Sequence, residues 1–188
     1  MKVVILAGGL GTRLSEYTKV IPKPMIKINK KPIISHIIDH YSKFGFKEFY
    51  IATGYKGKII KDYFKGRFKN KKINIIDTGQ KTMTGGRLKR LKPFLNETFL
   101  MTYGDGVSNI NIRSLINYHK KKNKLATLTA VRPPARFGAL KIRNGKVIYF
   151  KEKSKLDESW INGGFFVLEP EFLNYIKGDQ TFLRVLSL

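Results

Sequence analysis

Positions 8–13 read Gly-Gly-Leu-Gly-Thr-Arg immediately after a short apolar run, and Lys23 stands between Pro22 and Pro24. Glycines at 8, 9 and 11 let backbone N–H groups face an anion with no Cβ in the way. Thr12 adds a hydroxyl donor, and Arg13 adds a planar cation that can bridge two phosphate oxygens. The loop is neither a Walker A loop, which ends Gly-Lys-Ser/Thr, nor the GxGxxG dinucleotide fingerprint. By spacing alone it is equally a tight strand-to-helix turn. The flanking prolines restrict the backbone around Lys23, which suits a placed cation better than a merely solvated one. Asp105 lies between Gly104 and Gly106 at the end of an apolar run. A carboxylate there can hold a divalent cation against phosphate oxygens, or serve an ordinary Asp-Gly turn.

Other reactive side chains offer less. His36, His40 and His119 fall on helical stretches without ligand spacing to one another, so no metal or catalytic role is assigned to them. Trp160, the only tryptophan, could serve simple packing. With no cysteine, disulfides and thiolate metal sites are excluded, which fits a reducing, cytoplasmic location.

The elements that position these residues follow from periodicity. The runs at 2–8, 49–54, 73–79, 99–106 and 126–131 are short and apolar, and read as buried strands of a largely parallel sheet. Between them, Ile34, Ile37, Ile38 and Tyr41 recur at helical spacing, as do Ile59, Ile60 and Tyr63, and then Leu115, Ile116 and His119. This alternation predicts an α/β doubly wound fold, in which ligands gather beyond the carboxyl ends of the strands. From 137 to 153 the pattern turns to alternation around Asn144-Gly145, a hairpin signal, so a small antiparallel addition follows the parallel core.

Composition sets outer limits. A chain of 188 residues with 42% hydrophobic content can form one domain with a substantial core. Neither a signal peptide nor an apolar stretch of roughly 20 residues, as a membrane span requires, is present, so no membrane partner is expected. The net charge of +24 would attract any polyphosphate. It is carried mostly by lysine, and the runs at 69–72 and 119–124 fall at element ends or turns. A generic basic surface is therefore favoured over a nucleic-acid site.

The first two motifs together, LAGGLGTRL followed by PKPM, resemble the signature of the sugar-1-phosphate nucleotidyltransferases. The segments DTGQKTMTGGRLKRL (77–91), TYGDGVSN (102–109), RFGALKI (136–142), FKEK (150–153) and WINGGFFVLEP (160–170) resemble one branch of that family, the glucose-1-phosphate cytidylyltransferases. The similarity runs from Met1 to about Asp179. It implies a Rossmann-like, GT-A-like nucleotidyltransferase fold, and a domain over 1–179 followed by a non-family tail over 180–188.

The same resemblance implies a reaction: CTP and α-D-glucose 1-phosphate give CDP-glucose and pyrophosphate, with Mg²⁺ as cofactor. Two polyanions must be brought together, so the protein's task is to position them and neutralise charge. On this resemblance Leu6, Ala7, Gly8, Gly9, Leu10, Gly11 and Thr12 hold the nucleotide, with Thr82, Arg87 and Gly104. Arg13 stabilises charge on the departing pyrophosphate, and Lys23 meets the α-phosphate or the incoming phosphate. Glycines 85 and 86 open room beside the base. Spacing alone makes Arg87 equally an exposed helix residue. Asp105 is the implied Mg²⁺ ligand. Lys153 is the implied partner of the sugar phosphate, with Asn162, Gly163 and Gly164 forming a shelf for the sugar. The family further implies a homo-oligomer that feeds deoxysugars into O-antigen and lipopolysaccharide.

Two departures from the family pattern stand out. The segment between DYFKGRF (62–68) and INIIDTG (73–79) is shorter than in relatives, and after residue 179 the sequence runs QTFLRVLSL. Relatives continue there with a GFW stretch and an aspartate that supplies a second Mg²⁺ ligand. The expectation is a C-terminally incomplete domain, weakly active and poorly stable, with Phe165, Phe166 and Leu168 partly exposed. The readings in competition are thus an active cytidylyltransferase, an inactive or partial relative that only binds nucleotide, and, distantly, a basic nucleic-acid-binding module.

Overall fold

The computed structural model describes residues 1–11, 20–132, 139–151 and 160–183. Two compact units are present: one spans residues 1–127 and 164–188, the other residues 128–163.

The first unit is built on strands β1 (Val3–Leu6), β4 (Glu48–Thr53), β5 (Lys72–Asp77) and β6 (Phe99–Tyr103); the strand order of the sheet is β5-β4-β1-β6-β10-β7, where residues 161–163 of β10 (Ile161–Leu168) and 128–131 of β7 (Ala126–Val131) are counted in the second unit. The pairs β1/β4, β1/β6 and β4/β5 are parallel. The β10/β6 pair is antiparallel, with Phe165 opposite Thr102 and Leu168 opposite Phe99. So the sheet is more mixed than its first strands suggest.

Burial explains the unbroken apolar run of β1. Val3 and Ile5 join the core cluster that contains Ile34, Ile37, Ile38 and Tyr41 of helix α1 (Ile33–Lys43) and Ile60 of helix α2 (Gly57–Phe64). Val4 and Leu6 point the other way, into a second cluster with Leu88, Leu91, Phe172 and Leu173. A strand covered on both faces has no polar side to present. Phe165 and Val167 likewise enter the first cluster, and Phe166 and Leu168 the second. Phe165, Phe166 and Leu168 are buried, against the expectation of partial exposure: the 3-10 turn at Pro170–Tyr175 folds Phe172 and Leu173 over Phe166 and Leu168 on the second face, and Phe165 packs against Tyr41 on the first.

Helix ends carry local signals. In α4 (Ile112–Lys122) the Asn111 side chain accepts a hydrogen bond from the Ser114 N–H at 3.1 Å, Lys120, Lys121 and Lys122 crowd the last turn, and Asn123 closes the helix at φ 48°. These are favourable N-cap, dipole and left-handed C-cap choices. Helix α3 (Thr84–Arg90) has basic residues in its last turn but no side-chain N-cap bond, and each glycine at 85 and 86 weakens a helix by about 1 kcal/mol relative to alanine. Its support comes from residues 177–183, as described below.

In the second unit, β8 (Ala139–Arg143) and β9 (Lys146–Lys151) pair antiparallel across Asn144 (φ 50°) and Gly145 (φ 73°), the hairpin that the Asn-Gly pair predicts. Two-residue strands β2 (Lys27–Ile28) and β3 (Lys31–Pro32) form a further small antiparallel pair in the first unit.

Candidate active site

Strand β1 has β4 on one side and β6 on the other, so the chain order reverses about it. In open α/β sheets this reversal splays the following loops apart and opens a crevice at the carboxyl ends. The segments leaving those ends are Ala7–Gly11 after β1, Gly54 after β4, Thr78–Gln80 after β5 and Gly104–Asp105 after β6. There the structure has an open cleft of about 1070 Å³. Its walls include Leu6 to Gly11, Lys23, Thr82, Arg87 and Asp105, all selected from sequence.

The loop after β1 is anchored at both edges. Ala7 N–H donates to the Ala52 carbonyl at 2.8 Å, and the Gly8 carbonyl accepts from Tyr55 N–H at 3.3 Å. Gly8 is buried, whereas Gly9 and Leu10 are exposed and a Cβ built on Gly9 would meet only open space. Among the described residues, no side chain lies within 4 Å of a Cβ placed on Gly9. Gly11 lies at φ 68°, a conformation that favours glycine. Thr12 and Arg13 lie outside the described residues, as does Lys153.

Gly104 sits beneath this loop. Its N–H donates to the Leu6 carbonyl at 2.9 Å, and a Cβ there would press on Leu6, Pro24 and Ala7. Directly after it, Asp105 reaches into the cleft and accepts a hydrogen bond from Lys23 Nζ at 2.5 Å. Lys23 is held by a 3-10 turn over Lys23–Met25, whose closing bonds run from Met25 N–H to the Pro22 carbonyl and from Ile26 N–H to the Lys23 carbonyl. The two prolines thus fix where the ammonium emerges.

Arg87 is buried, only 4% exposed, rather than lying on an exposed helix face. Its Nη1 donates to the carbonyls of Thr53 and Gly79 and to the Thr78 hydroxyl, at 3.0, 2.7 and 2.9 Å. Its Nη2 donates to the carbonyls of Gly8 (2.8 Å) and Gln80 (3.3 Å). One guanidinium therefore ties the glycine loop to the ends of β4 and β5. Burial pushes its pKa below the usual arginine value, with Asp77 opposing and Arg90 reinforcing that shift. It remains a cation at any ordinary pH.

Glycines 85 and 86 do not open room beside a ligand. A Cβ on Gly86 would fall 2.5 Å from the Asp179 backbone, and one on Gly85 would fall 2.7 Å from the Thr181 carbonyl. They are small because another stretch of chain crosses α3 there.

Asn162, Gly163 and Gly164 lie on β10. Gly164, at φ 80°, packs against Tyr103, and its carbonyl accepts from the Thr102 hydroxyl at 2.7 Å. Residues not selected from sequence also line the cleft: Pro24, Gln80, Lys81, Met83, Thr84, Tyr103, Gln180 and Phe182. Those at 80–84 and 103 lie inside motifs already recognised, so proximity in sequence was their signal. Gln180 and Phe182 carry none.

Asp105 is the one carboxylate in this cleft among the described residues, and no group of three or more His, Cys, Asp or Glu side chains able to hold a metal occurs among them. A cation here would share Asp105 with ligand oxygens and water. Among the described residues, no helix is long and apolar enough to cross a membrane.

Comparison with known proteins agrees with this geometry. The nucleotidyl transferase family model matches residues 2–183. A glucose-1-phosphate cytidylyltransferase of Salmonella typhimurium is 49% identical over 205 residues, covering 96% of this chain and 80% of that protein. A probable glucose-1-phosphate cytidylyltransferase of Bacillus subtilis is 42% identical, with 95% and 79% covered. Among solved structures, HddC from Yersinia pseudotuberculosis superposes with a TM-score of 0.78 at 26% identity, over 99% of this chain and 86% of that one. A second structure of the same protein, complexed with GMP-PN, gives 0.77. The chain belongs to the nucleotidyl transferase family, in its glucose-1-phosphate cytidylyltransferase branch.

Proposed function

We propose that the chain transfers a cytidylyl group from CTP to α-D-glucose 1-phosphate, giving CDP-glucose and pyrophosphate. The observation that carries this reading is the convergence on one cleft of the glycine loop, Lys23 and Asp105, in a chain 49% identical to a protein of that activity. A phosphate oxygen of the sugar phosphate attacks the α-phosphorus of CTP, and the bond to the bridging oxygen of pyrophosphate breaks. Little covalent chemistry falls to the protein, so positioning and charge neutralisation are what its groups supply.

The backbone amides of Gly9 to Gly11 cradle the triphosphate. Lys23 neutralises charge at the α-phosphate where the two substrates meet, and Arg13 does so on the leaving pyrophosphate. Asp105 holds Mg²⁺, a hard cation suited to oxygen ligands, which when bound draws charge from the phosphoryl oxygens. Thr82, on the wall after β5, faces the nucleotide. Arg87 acts from behind, its donors spent on the carbonyls that shape the loop. Lys153, Asn162, Gly163 and Gly164 receive the sugar phosphate. On the family resemblance, the CDP-glucose supplies deoxysugars for O-antigen polysaccharide of the lipopolysaccharide.

Pyrophosphate release measured with glucose 1-phosphate and each of CTP, UTP, dTTP, GTP and ATP tests this, with calorimetric titration of the same triphosphates beside it. CTP is expected to be preferred in both. Equal or better use of UTP or dTTP overturns the cytidylyl assignment.

A further inference from the structure

Residues 177–183 cross helix α3 and bind it through both backbone and side chains. Met83 N–H donates to the Asp179 carbonyl at 2.7 Å, and Gly85 N–H to the Thr181 carbonyl at 2.9 Å. Leu183 N–H returns a bond to the Thr84 hydroxyl at 3.2 Å, Gln180 Nε2 donates to the Lys81 carbonyl at 3.4 Å, and Arg90 forms a two-pronged pair with Asp179 at 2.9 and 2.5 Å. The fit requires the glycines at 85 and 86, since a Cβ on either would strike this segment's backbone. Every one of these contacts fixes residues 81–90, the stretch that carries Thr82 and Arg87. The side chains that the segment sends into the cleft are Gln180 and Phe182, beside Gln80, Lys81, Thr82, Met83 and Thr84.

Two charged groups of the cleft, Lys23 and Asp105, pair with each other, Arg87 is bonded to the carbonyls behind the glycine loop, and Lys81 stands beside Gln80 and Thr82. The wall formed by Met83, Phe182, Thr82 and the glutamines is a different surface: an aromatic ring and a thioether next to amide and hydroxyl groups. That chemistry suits a planar, polar-edged base, with the ring stacking and the amides meeting the edge.

We infer that segment 177–183 is part of the nucleotide site, with Phe182 as a ring wall for the pyrimidine base and the backbone ladder to Met83 and Gly85 as the brace that positions Thr82 and Arg87. This rests on the reading of the cleft as a CTP site. Phe182 is a base-stacking contact that supplies affinity, and Gly85, Gly86 and Asp179 are positioning residues.

Calorimetric titration of the chain with CTP and Mg²⁺ tests it, using Phe182→Ala and the conservative Phe182→Tyr, with thermal unfolding of each. Loss of one base–aromatic stack corresponds to a Kd raised by about tenfold or more. The expected result is that rise for Phe182→Ala, near-original affinity for Phe182→Tyr, and similar unfolding temperatures. Hydrogen exchange on the unaltered chain supplies a measurement independent of any variant: the Met83 and Gly85 amides should gain protection on adding CTP. CTP binding by the original chain together with an unaffected Phe182→Ala, or with unchanged exchange at both amides, overturns the inference and leaves the cleft's assignment standing. Failure of the original chain to bind any triphosphate overturns that assignment, and this inference with it.

Discussion

Lys23 Nζ lies 2.5 Å from an Asp105 carboxylate oxygen, although the two are 82 positions apart and leave different elements. Each serves as the other's counter-ion, and both line the cleft. On the proposed function, a divalent cation held by Asp105 would compete for this carboxylate and leave the Lys23 ammonium free to meet phosphate. The pair is partly exposed, so its own contribution to stability is small, about 0–1 kcal/mol. Lys23→Ala should accordingly unfold at nearly the original temperature while kcat falls by about 10²- to 10³-fold, as when other preorganised charge stabilisers are removed. The same is expected of Arg13→Ala. Steady-state kinetics beside thermal unfolding decides, and near-normal turnover in either variant removes that residue from the site.

Arg87 behaves in the opposite way. Its guanidinium satisfies the carbonyls of Gly8, Thr53, Gly79 and Gln80 in a buried setting. Arg87→Met would keep the apolar stem but strip those acceptors of a charged partner, a loss of about 3 kcal/mol or more. Arg87→Lys should rescue little, because an ammonium cannot span acceptors on both sides as the planar fork does. Denaturant unfolding of both variants measures this, and a loss below about 1 kcal/mol for Arg87→Met would contradict a bracing role.

The contrast shows what sequence could and could not supply. Strands β1, β4 and β6 were legible because burial on both faces leaves an apolar run, the half-buried edge strand β5 by its isoleucines, and the glycines after them marked the cleft. Lys23 and Asp105 were legible as residue types but not as partners, since nothing local pairs positions 23 and 105. Arg87 was chosen for the site, yet the carbonyl cage around it comes from three separate strand ends and has no sequence signature. Glycines 85 and 86 were assigned to the ligand because the segment they accommodate lies almost a hundred residues away. The antiparallel placement of β10 beside β6 was hidden for a similar reason: the apolar run at 165–168 shows a buried strand, whereas direction depends on the path between elements.

The Arg90–Asp179 pair makes the brace sensitive to acid. Arg90 hydrogen bonds hold the Asp179 carboxyl below its usual value of 3.8, with the nearby charges of Arg90 and Lys89 adding to the shift. A carboxylate with a depressed pKa contributes its stabilisation fully above the unfolded value and loses it as pH falls through the folded value. The pair should thus be indifferent to pH from neutrality to about 5 and weaken below about 4. Hydrogen exchange at Met83 and Gly85 across this range is the readout. Asp179→Asn should already show the faster exchange at neutral pH, with little further change on acidification, and an Asn variant as acid-sensitive as the original would assign the effect to other groups.

Gly8 and Arg87 should be energetically coupled. A Cβ on Gly8 would collide with the Arg87 guanidinium, which is ordinarily the movable end of a flexible side chain. Here that end is bonded to acceptors from β4, β5 and the glycine loop itself, so it cannot swing aside without breaking several bonds together. Gly8→Ala must either shift the loop or dislodge the guanidinium, and both routes disturb the surface on which the triphosphate is proposed to lie. Its expected cost is about 2 kcal/mol or more in stability, in the range of overpacked cores. Arg87→Ala removes the obstacle but carries its own cost, the unsatisfied carbonyls. The double variant should then lose less than the two single losses combined, because the methyl added at position 8 occupies space the guanidinium has left, with an interaction energy of about 1 kcal/mol or more. Denaturant unfolding of the four proteins in this cycle measures it. Strict additivity would mean that the loop accommodates the methyl without engaging Arg87, and would remove the guanidinium as the link between the glycine loop and the ends of β4 and β5.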